Sequence, residues 1–127
     1  MIETVLACAK TEMTDIDLPY DFMIWKKKTV PDRYWIGEYT EVPSLTEDGY
    51  KEYTLHLTGT TKGTWLSLLD DKKKIEEHFP DIGGLRIATI DGVVVFYYEN
   101  SNTIPTGDAN LKRIQVDLKV KTWKGTK

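Results

Sequence analysis

Tyr53-Thr54-Leu55-His56-Leu57-Thr58, then Gly59-Thr60-Thr61-Lys62-Gly63, then the run from Trp65 to Phe79, is the stretch on which the fold turns. Tyr53, Leu55 and Leu57 alternate with Thr54, His56 and Thr58, the period of a strand with one core face and one exposed face. The glycines and threonines that follow break the alternation, and Thr61 or Thr64 can accept the first free amide hydrogens of a helix. In that helix Trp65, Leu68, Leu69, Ile75 and Phe79 recur at three- and four-residue steps with Lys72 filling the gap in the stripe. Asp70, Asp71, Lys73, Lys74 and Glu77 are expected on the wet side. Pro80 should end the helix, because the residue before a proline is pushed out of the helical region.

Beyond it, Gly83-Gly84 lets the chain reverse into a hairpin. Leu85 to Ile90 alternates, Asp91-Gly92 is the pair a two-residue type I′ turn requires, and Val93-Val94-Val95-Phe96-Tyr97-Tyr98 follows. An unbroken apolar run of this kind predicts a strand covered on both faces, by helices and a neighbouring chain or by a second layer. The last strand is the clearest: Ile114, Val116, Leu118 and Val120 alternate with Gln115, Asp117, Lys119 and Lys121. Between the two, residues 100–110 read as a polar loop.

Upstream, Ile2, Val5, Leu6, Ala9 and Met13 share one stripe, a helix ending near Thr14-Asp15. Cys8 lies beside the stripe as a small buried hydrophobe. Phe22-Met23-Ile24-Trp25 reads as a short strand leaving the core, and Lys26-Lys27-Lys28 as its solvated end or a guard against edge pairing. Tyr34 to Thr40 is a strand with a bulge expected at Gly37. It joins the Tyr50 to Thr58 strand through an acidic tip, making a long hairpin that either belongs to the main sheet or reaches across to another subunit. The predicted class is α+β: a mainly antiparallel or mixed sheet, two helices on one face and a long protruding β-hairpin.

The 127 residues are the length of a single domain, spanning 1–127, with no repeat or linker at which to divide it. A net charge of −3 gives no electrostatic footprint for nucleic acid. The one cysteine forbids an internal disulfide, and with no signal-peptide pattern and no run near the ~18 apolar residues of a membrane helix, a cytoplasmic product is expected. The histidine supply is His56 and His78, on a strand's outer face and in a helix's last turn, which gives no nucleophile–base–carboxylate set, no metal site and no cofactor loop. The chain is therefore read as not an enzyme. Its four tryptophans and seven tyrosines are divided between core packing and subunit contacts.

Tyr34-Trp35-Ile36-Gly37-Glu38-Tyr39-Thr40-Glu41, Glu47-Asp48-Gly49-Tyr50, Leu55 with Thr58-Gly59, Gly63-Thr64-Trp65-Leu66, Phe79-Pro80, Ile104-Pro105-Thr106-Gly107-Asp108 and Leu111-Lys112-Arg113-Ile114 together resemble the tail terminators. These are small tail-completion proteins of tailed phages and prophages. The resemblance covers most of residues 20–123 and rests on motifs that are idiosyncratic rather than catalytic.

It implies a structural virion protein that caps the tail tube as a hexameric ring, stops tube polymerisation and offers a joining surface to the head or neck. The implied partners are copies of itself, the tail tube protein and a head–tail connector or neck protein. DNA would pass through the lumen without specific binding, and no membrane or cofactor is involved. The implied location is the tail–neck junction of the virion, after assembly in the host cytoplasm. A heterologous ring needs two different patches per subunit. One is expected on the hairpin, at Trp35, Tyr39, Glu41, Asp48, Tyr50 and Tyr53, and the other on the last strand, around Arg113 and Lys119. Either the acidic hairpin tip or the Asp70/Asp71 face would line the lumen. The competing readings are another neck or tail component, such as a connector or adaptor, and a small ligand-binding domain.

Overall fold

A computed structural model describes residues 2–43 and 50–125. Along them run α1 (Ile2–Asp15), β1 (Tyr20–Phe22), β2 (Arg33–Val42), β3 (Tyr50–Thr61), α2 (Trp65–His78), β4 (Leu85–Thr89), β5 (Gly92–Ile104) and β6 (Lys112–Lys124). The strands form one sheet in the order β1-β2-β3-β6-β5-β4, with β1 parallel to β2 and every other pairing antiparallel. The class is α+β, as the sequence predicts.

Strand alternation sends one set of side chains toward the helices. Leu55 and Leu57 of β3, Val94 and Phe96 of β5, and Ile114, Val116, Leu118 and Val120 of β6 form one cluster with Val5, Ala9 and Met13 of α1 and Leu68 and Ile75 of α2. Burying each large apolar side chain stabilises the fold by roughly 1.5–3 kcal/mol. Both helices therefore cover the same face of the sheet.

Two glycines let aromatic rings lie directly on the backbone. A Cβ on Gly37 would sit 2.0 Å from the Tyr20 hydroxyl oxygen, and one on Gly59 would sit 2.7 Å from the Trp35 ring. The bulge expected at Gly37 is absent, since β2 pairs with β3 in unbroken register from Arg33 to Val42. The irregularity lies instead between Tyr98 and Asn100 of β5. What Gly37 accommodates is a ring, not an extra residue.

Several boundaries differ from expectation for identifiable reasons. The strand near residue 22 is Tyr20-Asp21-Phe22, and Met23, at φ 68, turns the chain away from the sheet, leaving Met23 and Ile24 exposed. In the β4–β5 hairpin Thr89 pairs with Gly92, so the turn residues are Ile90 and Asp91, neither at positive φ, and the turn is not type I′. The Thr89 hydroxyl closes it by accepting the Asp91 and Gly92 N–H groups. Residues 100–104, read as loop, extend β5 along β6, because a polar strand on an exposed sheet end carries no apolar period to reveal it. The second face of β5 is covered locally: Val95 and Tyr97 lie under Gly84, where a Cβ would approach Val95 Cγ1 to 2.7 Å. The described part of the β2–β3 hairpin does not protrude, for β3 pairs with β6 over its whole length. The acidic tip at Glu47 and Asp48 lies outside the described residues.

Candidate subunit interface

The helix face of α2 carries the main surprise. Asp71, expected in water, is 1% exposed, while Trp65, Leu66 and Leu69 are exposed. The Asp71 carboxylate accepts the Trp35 indole N–H at 3.2 Å and the Arg33 Nε–H at 2.5 Å. The buried stripe is thus Leu68, Asp71 and Ile75 with Phe79 at the cap, one step round the helix from the apolar stripe in the sequence. A carboxylate wins that place because two donors of β2 meet it there, and an unpaired carboxylate could not. Asp71 is therefore unavailable to line a lumen.

Trp65, Leu66 at 69% exposure and Leu69 at 45% occupy the first turns of α2 as an apolar surface that no other described residue covers. Thr64 caps this helix, its hydroxyl accepting the Ser67 N–H at 3.3 Å. Singly exposed leucines need no explanation, whereas three large apolar side chains on one helix end make a candidate contact surface.

The sheet face opposite the helices is open but not bare. His56 Nδ1 lies 2.8 Å from Asp117 Oδ1, and its Nε2 lies 2.8 Å from Thr40 Oγ1, tying β2, β3 and β6 together. Gln115 Nε2 also donates to the same carboxylate oxygen at 2.9 Å. Hydroxyl, imidazole and carboxylate are connected in the order of a hydrolase triad, with His56 and Asp117 partly exposed on the sheet face. At the β3 start, Tyr50 and Trp123 pack at 5.4 Å, and the Lys121 ammonium lies over the rings of Tyr50 at 5.0 Å and Tyr97 at 5.8 Å. His78 is not a solvated histidine: its Nε2 lies 2.8 Å from Glu12 Oε1, joining α2 to α1.

The lysine run is partly engaged. Lys26 Nζ donates to the Phe22 carbonyl at 2.8 Å, and Lys27 Nζ sits 5.4 Å from the Trp25 ring centroid. Asp21, 3% exposed, accepts the Lys26 N–H at 3.1 Å. That backbone bond, with the ammonium groups of Lys10 and Lys26 near by, outweighs burial and holds the Asp21 carboxyl below its usual range. Cys8 behaves as a half-buried small hydrophobe, its thiol pushed up by burial first and by Glu12 second.

The expected interface residues separate into three groups. Trp35 and Tyr53 are core residues at 0% and 5% exposure, Tyr53 also lining the floor of the groove that Tyr39 and Glu41 border. Their aromatic character suggested a contact, but the ring each presents is spent on the helix side of its own sheet. Tyr39, 41% exposed, and Glu41, 3.5 Å from Lys51, lie on the β2 edge and line a groove of about 560 Å³ with Ile2, Glu3 and Lys124. Tyr50, Arg113 and Lys119 stand on the open face, where Arg113 Nε donates to Thr60 Oγ1 at 3.2 Å and Lys119 lies 3.9 Å from Glu99. Asp48 lies outside the described residues.

Among the described residues no group of three or more His, Cys, Asp or Glu is arranged to hold a metal ion, and no helix is long and apolar enough to cross a membrane. No protein-family model and no curated protein matches the sequence. Solved structures do match in shape. A chain of the virion of a native gene transfer agent particle superposes with a TM-score of 0.67 over 90% of this chain and 84% of its own, at 7% identity. A second solved chain, without a functional description, gives a TM-score of 0.66 over 100% of this chain and 99% of its own, at 13% identity. At such identities the likeness is one of fold.

Proposed function

We propose that this protein is a structural component of a phage or phage-like particle, and within it a tail terminator: a homo-oligomeric, hexameric ring that caps the tail tube and joins it to the head or neck. The observation that carries the reading is the fold shared with a chain of a gene transfer agent virion over 90% of this chain. The motifs from Tyr34 to Ile114 that resemble tail terminators point the same way. The role is assembly rather than catalysis, and its location is the tail–neck junction.

Surfaces suited to assembly are present. A ring built head to tail needs two unlike patches, and an open sheet supplies them as its two edges. The exposed Trp65, Leu66 and Leu69 of α2 form a separate apolar surface for a second kind of partner, here assigned to the tube or neck protein. The mixed charges of the open face, Arg113, Lys119 and Lys121 beside Glu52, Glu99 and Asp117, form no basic stripe that would hold passing DNA.

The test is tube length. Added to polymerising tail-tube protein, the wild type should cap tubes and narrow their length distribution in electron micrographs, while Leu66→Asp with Leu69→Asp should fold normally and fail to cap. Tubes that grow unchecked beside an assembled wild-type protein would contradict the terminator role.

A further inference from the structure

The two edges of the sheet are each half covered, and the uncovered halves match. β1 pairs only with residues 35–37 of β2 before Met23 turns away, leaving residues 38–42 without a strand partner on that edge among the described residues. β4 pairs with β5 only from Gly92 to Phe96, and the Tyr98 N–H is taken by the Phe79 carbonyl at 3.0 Å, leaving residues 100–104 without a partner on the opposite edge among the described residues. The register of the strands between them puts the β2 segment at the end of the sheet where β3 begins and the β5 segment at the other end.

Peptide direction can be followed across the sheet. The Trp35 N–H donates to the Pro19 carbonyl and the Gly37 carbonyl accepts the Met23 N–H, so odd-numbered peptide groups of β2 face the outer edge. By the two-residue period, those of Tyr39 and Glu41 do too. Carrying the alternation through the pairs 36–58, 55–118 and 117–100 turns the peptide groups of Ser101 and Thr103 outward on β5. The outward Tyr98 N–H, paired opposite Leu118, confirms the phase.

We propose that these segments are one contact: residues 38–42 of one copy pair antiparallel with residues 100–104 of the next, Tyr39 opposite Thr103 and Glu41 opposite Ser101. Both partners of each pair lie on the helix side, so the alternation of faces continues unbroken across the junction. β2 and β5 run in opposite directions within the sheet, which is the sense an added antiparallel strand requires. Charge favours this partner over a second β2 edge. Residues 38–42 carry Glu38 and Glu41, whereas residues 100–104 carry no charge and are backed by Arg113, on the same face as Glu38. Because the two segments are different and sit at opposite edges, the contact repeats head to tail, and a ring is the closed form of such a repeat. The proposal rests on the ring reading above and supplies its joint.

Cysteine cross-linking and light scattering together test it. Directly opposed residues in such a pair lie about 5.5 Å apart at Cα, within reach of a disulfide. In a Cys8→Ala background, Glu41→Cys with Ser101→Cys should give a ladder of disulfide-linked multimers on non-reducing gels, and Glu38→Cys with Ser101→Cys, on opposite faces, should give none. Glu41→Pro or Thr103→Pro, each removing an outward N–H, should abolish the assembled species without changing the circular dichroism of the monomer. Assembled protein without the cross-link, or a Glu41→Cys single variant that links to itself, would overturn the edge contact and leave the ring standing. A protein that stays monomeric at every concentration and on isolated tail tubes would overturn both.

Discussion

The Trp35 indole of β2 donates its N–H to the Asp71 carboxylate of α2 at 3.2 Å, a buried polar bond between helix and sheet. Arg33 reaches the same oxygen at 2.5 Å from the rim. Asp71→Ala strands the indole N–H and leaves Arg33 unpaired, at an expected cost of about 2–4 kcal/mol. Arg33 is more than a third exposed, so water recovers part of its share and the buried indole dominates the loss. Denaturant midpoints of Asp71→Ala and Asp71→Asn measure this. An unchanged midpoint for both would contradict it.

Trp35→Ala should cost about 3–5 kcal/mol, because the ring fills the space over Gly59. Any loss of assembly in that variant reports unfolding rather than a broken interface. Tyr39→Ala, at the exposed edge, should by contrast change stability by less than about 1 kcal/mol. Thermal melts of the two variants side by side decide the point.

The Tyr20 hydroxyl is buried against Gly37 without a hydrogen-bond partner among the described residues, and burial first, then Asp21, pushes its pKa up to about 12. An acid whose folded pKa is raised contributes stability that is full below the unfolded value of 10.0 and is lost as the pH rises toward about 12. Tyr20→Phe should therefore gain about 1 kcal/mol at neutral pH by removing a stranded hydroxyl. Its advantage over wild type should widen by about 2–3 kcal/mol between pH 10 and 12. Urea unfolding at the three pH values tests both parts, and an advantage that does not grow with pH would contradict the assignment.

His56 and Asp117 join two strands on the open face, where water competes for both groups. Asp117→Ala should cost less than about 1.5 kcal/mol, and Thr40→Ala less again. A larger loss in equilibrium unfolding would mean that this face is more enclosed than its partial exposure indicates.

Periodicity reached the parts of the fold that bury apolar side chains in regular alternation. It placed β3, β6, α1 and the limits of α2, ending at Phe79 before Pro80. It missed the second half of β5, which is polar because one face meets solvent, and it put Ile24 in a strand that Met23 ends. Asp71 escaped notice because nothing local distinguishes a buried carboxylate from a solvated one. Its partners, Arg33 and Trp35, are more than thirty residues away. The same limit applies to the candidate interface. Aromatic content nominated Trp35 and Tyr53, which the core consumes, whereas the free edges depend on where β1 and β4 stop, a property of pairing rather than composition.

The central claim is that copies of this chain close into a ring that binds the tail tube. Light scattering across a concentration series, repeated with isolated tail tubes present, tests it most directly. The proposed terminator ring would scatter as about six chains per particle, or as a monomer that becomes bound at the tube end; a monomer at all concentrations that ignores tubes would contradict it.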